Sequence, residues 1–493
     1  MAKIYIRQSK RRLLHVFSRS PLRACRQRAM IALPLCGMAH ILGWAGGAQA
    51  QPASLVQPQA APAIDSLTYK GVTLYGAIDI DGTYETHGAR NSSVSPPGAQ
   101  YLLSKNSNQS HFGAGPNGIT NSYIGLRALE KLDPDWSVSF RLETGFNPLT
   151  ARLSDGVQSV ISQNGKALAA QSTSADSSRA GQIFNQAAYV GVANRSWGSL
   201  LFGRQLTTLA EGVAFYDPEL QSYAFSLIGY SGVAGGAGST EALRLDDMFK
   251  YSNTIGPIKI GAMYGLPSGL GQATAYAANI GYQSKAFSLD GYYTHKNDAV
   301  TVAPLSAAQL LGSAASATAA AAPPLPLPAD SLAGVVSDNT AYAIMASYKF
   351  QKVRFYAAYE TISFSNPDTP VKAGSSDIGG YELSAVNNTA YTHHKVLQIA
   401  WAGARYNITP KLEVGAGVYH YAQNSYGNVA CSNTSAASCS GELYSVSASA
   451  IYHLTSMLVT YGGLMHTQVQ GGLGSGYIHT NSMDPTVGMR FTF

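Results

Sequence analysis

Residues 484–493 read DPTVGMRFTF, and this stretch decides how the rest of the chain is interpreted. Side chains alternate along an extended strand, so Val487, Met489, Phe491 and Phe493 share one face. Gly488, Arg490 and Thr492 occupy the other. One face therefore suits hydrocarbon and the other suits water. An unpaired apolar edge promotes aggregation, whereas pairing with the first strand would close a barrel and remove the edge.

The composition is compatible with several ordinary domains or with one large barrel. Of 493 residues only 12% are charged, while Gly (50) and Tyr (30) are abundant. The formal charge of +6 comes from nine Lys and Arg within residues 1–50, a segment without acids. The remainder carries 24 basic and 27 acidic residues, or about −3. This balance argues against a nucleic-acid partner.

Residues 1–50 have the organisation of a secretory signal peptide. The basic region precedes an apolar run from Met30 to Trp44, and Ala48-Gln49-Ala50 forms a small-residue cleavage site. Cleavage there would place residues 51–70, a flexible lead-in, before a barrel of residues 71–493. Two alternatives stay open: translation from Met30, and a lipoprotein signal at Cys36, against which the preceding Leu argues.

Two cysteines remain in the exported part, Cys431 and Cys439, and an even pair across a short loop predicts a disulfide. A metal pair is the alternative, but suitable ligands are lacking nearby. Beyond the signal, no apolar run reaches the roughly 18 residues of a helical span. If the protein lies in a membrane, it crosses as strands.

Alternating apolar and polar positions predict sixteen strands. They cover residues 72–84, 121–129, 137–146, 184–193, 198–206, 243–253, 258–266, 273–283, 286–296, 340–350, 353–363, 395–406, 411–423, 442–454, 457–467 and 485–493. Connections alternate between short turns and long loops, as in outer-membrane barrels. We therefore predict an all-β protein: a transmembrane antiparallel β-barrel with short periplasmic turns and long external loops, with both strand ends of the barrel on the turn side.

Motifs of catalysis and cofactor binding are essentially absent. Residues 113–118 match G-x-G-x-x-G, but they contain Pro116 and no strand–helix unit surrounds them, so a loop is favoured. His393-His394 is interpreted as an exposed pair, and the Ala/Pro tract 303–336 as an extended surface loop. The sequence predicts no enzyme activity, no cofactor and no metal.

Several segments resemble the general porins of Gram-negative outer membranes, in their β-proteobacterial form. These are VTLYG at 72–76, SYIGLR at 122–127, FRLETGF at 140–146, QAAYVG at 186–191, GSLLFGRQ at 198–205, residues 244–251 and VGMRFTF at 487–493. The resemblance implies a homotrimeric diffusion channel whose third external loop folds inward. It also implies that Phe493 is the signal read by the outer-membrane assembly machinery. Loops 147–182, 207–242 and 303–336 depart from the family pattern.

A constriction inside the barrel is the candidate functional site. We expect segment 207–242 to contribute Glu211, Asp217 and Glu219, with Glu143 and basic residues on the wall. The wall residues are Arg127, Arg141, Arg204, Arg244 and Lys250. Charge on the lipid side costs roughly 2–4 kcal/mol at the midplane, so these side chains should point inward. The alternative for each residue is a structural ion pair.

Three functions fit this pattern. The first is passive diffusion of ions and small hydrophilic solutes through the outer membrane. A substrate-specific channel on a similar barrel is the second. The third is a surface protein without transport, an adhesin or a barrel hydrolase; the long loops and the cysteine pair are compatible with an adhesin. In the preferred interpretation the partners are the lipid bilayer, the assembly machinery, two further copies of the chain and the permeating solutes.

Overall fold

The computed structural model describes residues 67–87, 109–167, 182–228, 244–267, 273–311, 327–378, 381–431, 436–475 and 479–493. The predicted signal peptide and residues 51–66 of the lead-in lie outside this part of the chain. The last lead-in residues form a short strand, Thr68–Tyr69, which pairs with Val72 and Thr73.

Sixteen strands form the wall. They are β1 Val72–Glu85, β2 in two pieces (His111–Pro116 and Ser122–Lys131), β3 Trp136–Phe146, β4 Ala187–Asn194, β5 Gly198–Leu206, β6 Arg244–Ile255, β7 Ile258–Gly265, β8 Ala275–Gln283, β9 Phe287–Ala303, β10 Ser331–Phe350, β11 Val353–Ser365, β12 Lys395–Asn407, β13 Leu412–Gln423, β14 Gly441–His453, β15 Leu458–Gly471 and β16 Asn481–Thr492. Each strand is antiparallel to its neighbours in the wall.

The first and last strands close the barrel. β1 pairs with β16 from Ala77 opposite Thr492 to Thr83 opposite Thr486. Beyond the strand end, Gly76 and Phe493 exchange two backbone hydrogen bonds of 3.0 Å. No edge is left at this seam, and the predicted sixteen-stranded antiparallel barrel is confirmed.

The two faces of the strands follow the predicted alternation. On β16, Val487, Met489 and Phe491 are 66%, 56% and 41% exposed on the outside, whereas Asp484 and Thr486 are buried inside. Ile124, Ile344 and Val446 are likewise exposed on the outer surface of other strands. This apolar exterior faces lipid in a membrane-spanning barrel. Within the described residues, the helices lack the length and apolar character required to cross a membrane.

β2 is interrupted where sequence analysis predicted the end of a loop. Asn117 adopts a left-handed backbone with φ of 70°. The Asp79 carboxylate of β1 accepts hydrogen bonds from the amides of Ile119 (2.9 Å) and Thr120 (3.0 Å). Both pieces of β2 still pair with β1. The interruption therefore turns backbone amides inward without opening the wall.

β9 and β10 are longer than predicted. They reach Ala303 and Ser331, so strand structure enters the tract that we expected to be a surface loop. A short helix, α3 (Ala307–Leu310), follows β9, whereas residues 312–326 lie outside the described part. Leu332 and Val336 are fully buried. Packing of these apolar residues explains why the hairpin continues beyond the membrane.

Three external loops pack together above the wall, and we call this assembly the external cap. It comprises helix α1 (Gly156–Ile161), the outer ends of β9 and β10, and strand Tyr381–Asn387, which runs parallel to the outer end of β10. Tyr381 donates a hydrogen bond of 2.5 Å to Asp155, the residue that caps α1. Because α1 follows β3 and the other parts follow β9 and β11, the cap joins opposite sides of the barrel. A further short strand, Ser375–Ile378, lies beside Tyr381–Asn387.

Depth in the membrane should control the cost of an outward charge. Val446→Lys, at the middle of β14, is expected to cost about 2–4 kcal/mol in free energy of unfolding. Tyr452→Lys, on the same face near the periplasmic end, should cost about 0–1 kcal/mol because its ammonium reaches the interface. Urea unfolding in lipid vesicles measures both. Equal costs would contradict the assignment of the outer face.

Candidate functional site

The segment that follows β5 folds into the barrel, and we call residues 207–228 the inner loop. It begins with helix α2 (Thr208–Tyr216), whose N-terminal cap is Thr207; the Thr207 hydroxyl accepts a hydrogen bond of 3.2 Å from the amide of Ala210. Leu209, Val213 and Tyr216 are buried. The remaining residues of the predicted constriction segment, 229–242, lie outside the described part.

Wall side chains fix the segment after α2. Trp401 donates its indole N–H to the Tyr216 carbonyl (3.1 Å), and Tyr419 donates its hydroxyl to Asp217 (2.7 Å). Ser449 donates to Glu219 at 2.5 Å. Asp217 and Glu219 are 0% and 2% exposed, so they anchor the loop to the wall. This placement differs from the expectation that both carboxylates face the open channel.

The far end of the inner loop reaches the interruption of β2. Tyr223 and Ala224 donate their amides to the carbonyls of Ile119 (3.2 Å) and Gly118 (2.7 Å). The Asn121 side-chain amide donates to the Tyr223 hydroxyl (2.7 Å). The broken strand thus supplies the backbone groups that bind the loop. From β5 to β2, the loop follows the inner wall by way of β12, β13 and β14.

Much of the inward face beneath the loop is apolar. The cluster combines loop residues with wall residues from β9 to β15, among them Leu227, Tyr292, Ile362, Phe364, Leu397, Ile399, Trp401, Tyr421, Leu443 and Met465. Sequence analysis expected the inward side chains to be polar and to enclose solvent. The cluster is a core inside the barrel, formed because the loop covers apolar wall residues. Apolar residues at alternate positions 397, 399 and 401 were the available signal.

Arginine residues gather on the wall across from this core. Arg127 and Arg141 occupy opposite positions on β2 and β3. Their guanidinium carbons lie 4.9 and 5.4 Å from the centre of the Tyr75 ring. Arg141 forms an ion pair with Glu143 and donates to the Tyr75 hydroxyl at 2.7 Å. Arg127 and Arg141 are both partly exposed, whereas Glu143 is buried.

Three other predicted basic residues are held near β5 and β6. Arg204 pairs with Asp246 (2.8 Å) and donates to the Asn185 carbonyl (2.9 Å). Lys250 pairs with Glu211 of α2 at 2.5 Å. Arg244 donates to the Gln186 carbonyl at 2.7 Å. The pairs of Arg204 and Lys250 have the geometry of structural ion pairs, and the second fixes α2 beside β6.

Several functional candidates were missed from the sequence. Arg490 lies inward on β16, opposite Asp79, although its place on the polar face of residues 484–493 could have indicated it. Lys259 pairs with Asp290 (2.7 Å), and Arg405 pairs with Glu413. These pairs join neighbouring or nearby strands, and register between predicted strands was needed to find them.

Two further predictions concern Cys431, Cys439 and Phe493. A disulfide joins the two cysteines, with Cα atoms 5.5 Å apart, in the loop after β13. The Phe493 ring lies against Gly76, where an added Cβ would come within 2.6 Å of it. Its side chain is thus packed at the barrel seam. Among the described residues, no group of three or more His, Cys, Asp or Glu has a geometry suited to a metal ion.

A closed barrel with an inward loop is also what comparison with known proteins identifies. The family model described as Gram-negative porin matches residues 37–472. This chain belongs to the Gram-negative porin family. The porin is 27% identical over 218 residues to an outer membrane porin protein of Bordetella pertussis, a match that covers 44% of this chain and 43% of that protein. The matched region thus spans less than half of the relative's length.

Solved structures share the fold at low sequence identity. The anion-selective porin from Comamonas acidovorans has a TM-score of 0.54 and 15% identity, covering 86% of this porin and 99% of that chain. OmpT of Vibrio cholerae, in its trimer form, has a TM-score of 0.51 and 12% identity, with 86% and 99% covered. At this identity the likeness concerns the barrel fold. The porin is therefore a β-barrel protein of the outer membrane.

Loss of one anchor should destabilise the inner loop. Tyr419→Phe removes the hydroxyl that donates to Asp217 and leaves a buried carboxylate short of a partner. The expected loss is about 1–3 kcal/mol in free energy of unfolding. Tyr452→Phe, on the outer surface, is the matched control and should change little. Denaturant unfolding of both variants decides; equal losses would show that the Asp217 anchor has no special weight.

Glu219 should make stability depend on pH. Burial between loop and wall raises the pKa of Glu219 from 4.5 to about 8, although Ser449 and Arg405 oppose the shift, while Asp217 and Glu413 add to it. The folded protein then retains a proton that the unfolded chain releases above about pH 4.5. Stability should fall as pH rises from about 4.5 to 8 and then level off.

Glu219→Gln, which stays neutral, is expected to lack this part of the pH dependence. Unfolding free energies measured across the same pH range compare the two proteins. A variant that retains the full decline would show that Glu219 does not cause it.

Proposed function

We propose that this porin forms a water-filled channel for passive diffusion of ions and small hydrophilic solutes across the outer membrane. The observation that carries the proposal is a closed sixteen-stranded barrel with a lipid-compatible exterior and partly exposed charged residues on its inner wall. A barrel of this strand number leaves an aqueous lumen. The inner loop narrows this lumen without spanning strands of its own.

The narrowed passage runs beside the arginine wall. The apolar core occupies the side of the barrel from β9 to β15, so the partly exposed charge lies elsewhere. Arg127, Arg141 and Arg490 project inward from β2, β3 and β16 and are partly exposed. Solutes that pass the inner loop would therefore meet guanidinium groups stacked among tyrosine rings. Charged groups at such a constriction determine which ions pass.

The acids of the inner loop do not balance this charge at the water surface. Asp217 and Glu219 are buried, and Glu211 is neutralised by Lys250. Glu143 is likewise paired with Arg141. We therefore propose that the passage favours anions over cations. This replaces a field between loop acids and wall arginines with a field dominated by the wall.

A substrate-specific channel is the second candidate. The observation in its favour is the apolar core within the barrel, which reduces the open cross-section. Tyr75, Tyr123 and Tyr189 beside the arginines offer surfaces on which a flat anionic solute could stack. Saturable block of conductance by one aromatic anion would favour this candidate over general diffusion.

We also propose a homotrimer in the lipid bilayer, inserted by the outer-membrane assembly machinery. Among the structural relatives, OmpT of Vibrio cholerae was solved in a trimer form. Phe493 is proposed to be the residue read during assembly. Cross-linking in isolated outer membranes, with a Phe493→Ala comparison, tests both points.

Planar-bilayer recording of the refolded porin tests the channel directly, and discrete conductance steps are expected. Arg127→Ala should lower the ratio of chloride to potassium permeability, because it removes a partly exposed cation from the passage. Lys131→Ala, on the periplasmic turn, is the matched control and should leave the ratio nearly unchanged. Reversal potentials in a KCl gradient give the ratio. Absence of steps would refute the channel, and an unchanged ratio in Arg127→Ala would refute the role of the arginine wall.

A further inference from the structure

An acidic group lies on the inner wall far from the arginines, near the external end of the barrel seam. The register of β1 and β16 pairs Thr83 with Thr486, and its continuation places Glu85 directly opposite Asp484. A backbone hydrogen bond of 3.2 Å from Thr86 to the Met483 carbonyl extends the same register. Side chains at such positions have Cβ atoms about 5 Å apart. Two carboxylates thus face inward side by side.

Both carboxylates are withdrawn from solvent. Glu85 is 0% exposed and Asp484 is 1% exposed. Within the described part of the chain, neither carboxylate oxygen of Glu85 has a hydrogen-bond partner, and one oxygen of Asp484 also lacks one. The other Asp484 oxygen accepts from Ser482 at 2.6 Å. A buried carboxylate without a partner is costly, and like charges directly opposite each other destabilise a sheet.

Protein cations do not compensate this pair. The ion pairs found among the described residues involve other acids. Arg490 lies on the same face of β16 but six residues away, or about 20 Å along the strand. Asp81, four residues before Glu85 on β1, is also buried and adds negative charge. The neighbouring positions on β2 and β15 are His111, opposite Glu85, and Met465, opposite Asp484.

We propose that Glu85 and Asp484 form a cation-binding site on the wall of the barrel. Carboxylate oxygens, with the nearby hydroxyls of Thr83, Thr486 and Ser482, are the donors preferred by Mg²⁺ and Ca²⁺. The same oxygens would bind the ammonium group of an organic amine. Either cation would relieve the repulsion at the seam. This site is separate from the passage at the inner loop, and its occupancy is measured without channel activity.

The test compares the full-length mature porin with Glu85→Gln/Asp484→Asn. Because these substitutions remove the repulsion, the double variant is expected to fold. Glu442→Gln, at the external end of β14, is the matched control, since Glu442 bonds to Tyr444 and Gln470 on the outer side. Thermal unfolding in detergent is recorded during titration with MgCl2, CaCl2 or 1,4-diaminobutane.

The porin and Glu442→Gln should both gain stability with at least one of these cations, because ligand binding to the folded state raises the unfolding temperature. The double variant should bind roughly tenfold or more weakly, which corresponds to the loss of about 1.4 kcal/mol or more. A response to metal ions alone assigns the site to a metal, and a response to the diamine assigns it to an amine.

An equal response in the double variant, or no response in the porin to any of the three cations, would overturn the proposal. The second result would show that the carboxyl groups stay protonated instead. Neither result bears on the diffusion channel, whose failure is seen separately as an absence of conductance steps.

Discussion

Backbone hydrogen bonding in hydrocarbon is the constraint on which this structure depends. A strand in lipid finds no water for its N–H and C=O groups, so every strand must be paired on both sides. β1 and β16 satisfy this requirement for each other, and Gly76 and Phe493 continue the pairing beyond the last strand residue. Closure then leaves the side chains free to divide, with apolar residues outside and a variable interior.

The interior departs from a uniformly polar lumen because the inner loop brings a core with it. α2 and the residues that follow cover inward apolar side chains of β9 to β15, and buried carboxylates secure the loop through Tyr419 and Ser449. The acids are thereby removed from the water-filled part. What remains partly exposed at the passage is the arginine wall. Loop packing and electrostatics of the passage are thus consequences of one arrangement.

Sequence periodicity was sufficient for the wall because lipid imposes a strict rule on alternate residues. The faces of β16, with Val487 outside and Thr486 inside, follow from the residue order alone. Register and loop path were beyond reach, since they depend on contacts between distant segments. Asp217 illustrates the limit: its charge suggested a lumen position, but only the approach of Tyr419 shows that it is buried. Likewise, the external cap arises from Leu332, Val336 and α1, which meet only in three dimensions.

The seam also has a consequence for biogenesis. The hydroxyls of Thr83 and Thr486 lie 2.7 Å apart although 403 positions separate them along the chain. Such a contact forms late, because bringing distant ends together costs loop entropy before any pairing is gained. Until β16 has emerged from the export channel, every earlier strand belongs to an open sheet with two unpaired borders. The nascent polypeptide must therefore cross the periplasm in a chaperoned, unclosed form, and its folding is limited by the arrival of its final segment.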